Sequence, residues 1–127
     1  MLRVSRGVCE GGVVLRQFII LEAEPVVRID LDEMLTSAFP ESAVHAADTI
    51  TAGLALIAET GSGSVIFLRS ALTQSISELS SGLAQATERG ALVYLLGDPI
   101  SVSFDGRFID LPFSQEGLVS QLLADLI

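Results

Sequence analysis

The sequence predicts an α/β domain built on a five-stranded parallel sheet with helices on both faces, and three observations carry that reading. Short apolar runs alternate along the chain with segments whose apolar residues recur at helical spacing. The strand-like runs lack polar alternation, as strands buried on both faces do. The chain has 127 residues, half of them hydrophobic, and a domain of that size buries roughly two-thirds of its unfolded surface, enough for a core without disulfides or a structural metal.

Each element follows from its own residues. Phe18-Ile19-Ile20-Leu21 reads as the first strand, an acidic loop Glu22-Ala23-Glu24-Pro25 follows, and Val27, Leu31, Met34, Leu35 and Ala38 mark a helix. Val44-His45-Ala46-Ala47 is a short second strand. Asp48 is the expected N-cap of a helix presenting Ile50, Leu54, Ile57 and Ala58. Gly61-Ser62-Gly63 stops that helix and leads into Val65-Ile66-Phe67-Leu68, the most strand-like run of the chain. A Ser-rich helix then carries Leu72, Ile76, Leu79 and Leu83 and closes at Gly90. Leu92-Val93-Tyr94-Leu95-Leu96 is the fourth strand, ending in the turn Gly97-Asp98-Pro99. Phe108-Ile109-Asp110-Leu111 is the fifth, and Ser114 caps a last helix with Val119, Leu122, Leu123 and Leu126. Residues 1–14 read as an N-terminal extension, with Val13-Val14-Leu15 able to lengthen the first strand, and residues 15–127 as the domain.

Composition excludes several functions. With 7 Arg, no Lys, 16 Asp plus Glu and a net charge of -9, the chain is ill suited to neutralise phosphates, so no nucleic-acid partner is expected. No apolar run approaches the ~18 residues of a membrane span, and Met1 to Arg6 has no apolar stretch behind it, so no membrane partner and a cytoplasmic location are expected. One Cys and one His cannot make a four-ligand Cys/His metal site; a carboxylate-bound Mg²⁺ or Ca²⁺ stays open. Cys9 reads as a free thiol, His45 as a packed or edge histidine, and Tyr94 as a packing residue with its hydroxyl at an edge. Gly61-Ser62-Gly63-Ser64 precedes a strand, the wrong context for a phosphate loop.

In open sheets of this kind ligands bind beyond the carboxyl ends of the strands, which here carry Glu22, Glu24, Arg69, Leu96 and Leu111. At these residues the sequence resembles the receiver domains of bacterial two-component response regulators. The run Ile19 to Leu31 is similar to their opening strand with its acidic pair, Ala46-Ala47-Asp48 through Glu59 to their second strand and helix, and Leu111-Pro112-Phe113-Ser114 to the Lys-Pro-Phe segment before their last helix. The resemblance spans residues 15–127. It implies a flavodoxin-like sheet in the order 2-1-3-4-5, a cis bond at Leu111-Pro112, and a fourth helix shortened or lost, because the stretch from Leu96 to Leu111 is short.

The resemblance also implies what is missing. Where receivers place the phosphoacceptor Asp this chain has Arg69; the second acid of the metal pair is Ala23, the hydroxyl residue is Leu96 and the lysine is Leu111. Of the family's functional set only Glu22 remains. Phosphotransfer by the usual route needs a carboxylate nucleophile, a hard-metal site and a cation opposite, so no catalytic residue, no phosphoacceptor, no metal site and no cofactor are expected. Glu22 and Arg69 are expected to pair in the crevice, the guanidinium engaging the carboxylate through two parallel hydrogen bonds; Glu22 and Glu24 read equally as solvated loop acids. The expectation is a phosphorylation-incompetent signalling module working through contacts with a sensor kinase or output protein. The alternative is a small-molecule-binding or catalytic domain using Glu22, Glu24 and Arg69. Loss of the fourth helix is expected to uncover Val102, Phe104 and Phe108 as an interface, most simply in a homodimer.

Overall fold

The computed structural model describes residues 17–60, 63–97, 102, 104–109 and 114–126. Its elements are β1 (Gln17–Leu21), α1 (Pro25–Ala38), β2 (Ala43–Ala47), α2 (Ile50–Ala58), β3 (Ser64–Arg69), α3 (Ser70–Ser75), α4 (Ser77–Glu88), β4 (Leu92–Leu96), β5 (Gly106–Ile109) and α5 (Gln115–Leu126). The five strands form one sheet in the order β2-β1-β3-β4-β5, every pair parallel.

Alternation along the strands splits the core into two layers. Phe18, Ile20, Val65, Phe67, Tyr94, Leu96 and Ile109 face Leu31, Met34 and Leu35 of α1 and Leu118 and Leu122 of α5. Ile19, Leu21, Ile66, Leu68, Val93 and Leu95 face Ile57 of α2 and Leu79, Leu83 and Ala86 of α4. Along the first layer the Phe67 and Tyr94 rings stack with centroids 5.4 Å apart, and Phe18 bridges Phe67 to Phe39 at 6.3 and 5.3 Å. His45 is exposed on the edge strand β2.

Local chemistry explains where the structure departs from the sequence reading. Thr49, not Asp48, caps α2, its Oγ1 accepting the Ala52 N–H at 3.2 Å. The single Ser-rich helix is two, α3 and α4, separated by Ile76 in an extended conformation (φ -131°, ψ 105°). Ser70, Thr73 and Ser77 flank the break, residue types whose hydroxyls compete with the helix ladder; the Thr73 hydroxyl donates to the Ser70 carbonyl at 2.7 Å. Strand β5 begins at Gly106, two residues earlier than its apolar run. Ser114 does cap α5, accepting the Gly117 N–H at 3.0 Å, but the buried face is Leu118 and Leu122, and Leu123 is 48% exposed. No described residue between Leu96 and Gly106 is helical. The Leu111-Pro112 bond, residues 1–14, Cys9 and the strand extension at 13–15 lie outside the described residues.

The expected apolar surface beside β4 and β5 is instead half-covered. Val102, Phe104 and Phe108 pack against the α2–α4 layer, with the Phe104 ring 3.2 Å from the point a Cβ on Gly106 would occupy. A glycine there lets the ring fold back onto the sheet.

Gly53 admits an equally close approach on α2. A Cβ at this buried position would stand 2.7 Å from both Leu21 methyl carbons. Alanine normally favours a helix interior over glycine by about 1 kcal/mol, yet overpacking a core costs about 1–3 kcal/mol. G53A is therefore expected to lower the denaturant midpoint.

Helix α5 is pinned to the sheet by a polar contact. The buried Tyr94 hydroxyl donates to Asp125 Oδ2, which also lies 3.3 Å from Arg107 Nε; Tyr94 and Arg107 are register partners across β4 and β5. Burial first, and the bond to Asp125 second, push the Tyr94 hydroxyl well above the ordinary tyrosine range. The unfolded chain releases this proton near pH 10 while the folded chain keeps it, so its contribution to stability is full below about pH 10 and falls as the pH rises further. Urea titrations should show that alkaline decline flattened in Y94F, with a loss of about 1.5 kcal/mol at neutral pH for the missing bond to a charged acceptor.

Candidate functional site

Strand order reverses at β1, whose chain neighbours β2 and β3 flank it on opposite sides; this is where an open parallel sheet of this order forms its ligand crevice. Leu21 and Leu68 are register partners, so the residues that follow them, Glu22 and Arg69, leave the sheet side by side. The structure brings them together, with Arg69 Nε 2.7 Å from Glu22 Oε1.

The pair is not the two-pronged contact expected of a guanidinium and a carboxylate. Glu22 Oε2 accepts the Glu24 N–H at 2.9 Å, so one oxygen serves the arginine and the other the turn into α1. Glu24 itself makes no side-chain cap bond and is exposed. Pro25 follows in the first turn, where its missing N–H needs no partner. The Glu22 N–H donates to the Ala47 carbonyl at 3.1 Å, tying the crevice to the end of β2.

A residue that apolar periodicity does not single out completes the arrangement. Arg28, on α1, donates from Nη1 to the Glu22 carbonyl at 2.9 Å. Two guanidinium groups thus hold Glu22, one by its side chain and one by its backbone. The signal for Arg28 was its place one turn after Pro25, in a chain with few basic residues. Beside this cluster, Gly97 adopts φ +115° and donates its N–H to the Ile109 carbonyl at 2.8 Å. A Cβ on it would lie 3.3 Å from Ser70 Oγ. Leu96, register partner of Arg69, is buried in the α1–α5 layer; Leu111 lies outside the described residues.

The residues present do not suit the Mg²⁺ that receiver chemistry uses. Both Glu22 oxygens are engaged, Ala23 supplies no ligand, and a cationic guanidinium stands against the buried Glu22 carboxylate. Among the described residues no group of three or more His, Cys, Asp or Glu side chains converges.

The parallel sheet in the order 2-1-3-4-5 with helices on both faces is a fold this chain shares with solved response regulator receiver structures. The chain superposes on a response regulator from Colwellia psychrerythraea with a TM-score of 0.66 over 89% of this chain and 98% of that one, at 16% identity. It superposes on a receiver domain protein from Bacillus halodurans with a TM-score of 0.67 over 87% and 97%, also at 16% identity. At that identity the likeness is one of fold. No protein-family model and no curated protein sequence matches the chain. Among the described residues no helix is long and apolar enough to cross a membrane.

Burial makes the Glu22–Arg69 pair asymmetric. The Glu22 side chain is 4% exposed and that of Arg69 37%, so removing the arginine strands a buried carboxylate, whereas removing the carboxylate leaves a guanidinium free to turn to water. R69A is expected to cost about 2–3 kcal/mol and E22A about 1 kcal/mol, less than the ~3–5 kcal/mol of breaking a fully buried pair. A double-mutant cycle by urea unfolding checks this, and a coupling energy near zero would refute the pair.

Proposed function

We propose that the domain is a receiver-like signalling module that binds protein partners, a sensor kinase or an output protein among them, without being phosphorylated. One observation carries this reading: Arg69 stands at the end of β3 with its Nε on Glu22 Oε1. Where a receiver holds a nucleophile and a metal, this chain holds a guanidinium. The cation is covalently part of the chain. Its attraction to Glu22 does not depend on a phosphodonor, so the partner-binding surface is fixed in one state. That Glu24 is exposed and Glu22 saturated disfavours a ligand or catalytic role for this acidic pair.

Incubation of the protein with acetyl phosphate and Mg²⁺ is expected to leave its intact mass unchanged. R69D is expected to remain unmodified as well, because Ala23 still denies the phosphoryl group a metal and no lysine exists in the chain to oppose its charge. A Mg²⁺-dependent mass gain of one phosphoryl group in the unaltered protein would overturn the reading.

A further inference from the structure

We propose that α5 is a releasable element of the domain: the Tyr94–Asp125–Arg107 contact is its latch, and the helix leaves the sheet while β1, β3 and β4 stay folded. Release exposes the side of Tyr94, Leu96 and Ile109 that Leu118 and Leu122 cover. The device is a property of the fold and does not depend on the signalling reading.

Three observations single out this helix. The first is how little its own residues hold it. A helix of 12 residues is marginal in water without tertiary contacts, and glycine at position 117 lowers its propensity further. Its buried apolar residues, among those described, are Leu118 and Leu122, with Leu123 largely exposed, whereas α1 buries Leu31, Met34 and Leu35 and α4 buries Leu79, Leu83 and Ala86. Helix α2 buries as little, but Arg89 fastens its C-terminal end, donating to the carbonyls of Thr60 at 2.7 Å and Ile57 at 3.0 Å.

The second observation is packing. Hollows of ≈ 410 and ≈ 460 Å³ lie where α1 and α5 meet, so the two helices fall short of the close packing of an interior. The strand that leads toward α5 is weakly held as well: β5 has four residues, lies at one edge of the sheet and is half-buried from Gly106 to Phe108.

The third observation is the latch itself. Asp125 stands in the last turn of α5, which has no basic residue, so its charge adds to the negative end of the helix dipole, an unfavourable position. What offsets it comes from the sheet, as the Tyr94 hydroxyl and Arg107 Nε. The offset is incomplete, because Arg107 Nη1 is buried without a hydrogen-bond partner, and an unpaired buried donor is a cost that water relieves once the helix leaves. Release breaks no bond of the crevice, where Glu22, Arg28 and Arg69 belong to the end of β1, to α1 and to β3.

Native-state hydrogen exchange of the full chain in rising urea tests the proposal. The amides of Leu118 to Leu122 are expected to exchange about tenfold or more faster than those of Ile66 to Leu68, and with a weaker urea dependence, because their opening exposes only part of the buried surface. Release and global unfolding both break the latch, so D125N is expected to speed exchange in α5 and β3 by the same factor, about tenfold. G53A and R69A alter contacts that persist when α5 is released; each is expected to speed exchange in β3 and to leave α5 unchanged. Y94F removes the latch from the sheet side and is expected to reproduce the D125N pattern, which keeps the comparison open if D125N does not fold. One common rate and urea dependence for α5 and β3 would overturn the proposal. So would G53A or R69A speeding α5 as much as β3, or exchange in α5 that neither D125N nor Y94F alters.

Discussion

The constraint from which the rest follows is that β3 is buried on both faces. Val65, Ile66, Phe67 and Leu68 have no exposed surface, because α1 and α5 cover one side of the sheet and α2 and α4 the other. A strand in that setting accepts only apolar side chains along its length. A charged residue must wait for the strand's end, and Arg69 is the first position of β3 that reaches solvent. The apolar run of β1 likewise gives way at once to a charged residue, Glu22, which stays buried against Arg69. The sandwich therefore decides where charge emerges and which charges meet, and the two ends it places side by side are of opposite sign.

The centre of the sheet was legible in the sequence because β1, β3 and β4 carry contiguous apolar runs, and the buried side of α1 because Leu31, Met34 and Leu35 keep strict helical spacing. Finer features were not. Leu72, Ile76, Leu79 and Leu83 suit one continuous helix as well as two short ones that meet at Ile76, since both arrangements turn these residues to the same layer. In α5 the apolar positions 118, 119, 122 and 123 are too many for one narrow face, and only packing selects Leu118 and Leu122. Val102, Phe104 and Phe108 read as uncovered when a missing helix was considered alone; the space beside Gly106, which a Cβ would have filled, takes the Phe104 ring.

The crevice was legible to the extent that it depends on strand ends. Glu22 and Arg69 could be placed opposite each other from the strand order that the receiver resemblance implies. The division of the Glu22 carboxylate between Arg69 and the Glu24 N–H depends on the backbone path into Pro25, and the contact of Arg28 with the Glu22 carbonyl on the pitch of α1; neither leaves a compositional trace. A charge that arrives on a side chain is held to a fixed stoichiometry and cannot be diluted away, unlike a dissociable ion. The turn after β1 is thereby tied to β3 and α1 at the same time.

The contact at the other side of the sheet has a spectroscopic consequence. The chain has no tryptophan and one tyrosine, and that tyrosine is Tyr94, stacked on Phe67 and bonded to Asp125 of α5. The ultraviolet absorption band of the native protein above the phenylalanine region therefore comes from one residue at the joint of β4, β5 and α5. Detachment of the last helix registers in that band as exposure of a single phenol, so the protein carries an intrinsic optical reporter of its C-terminal element.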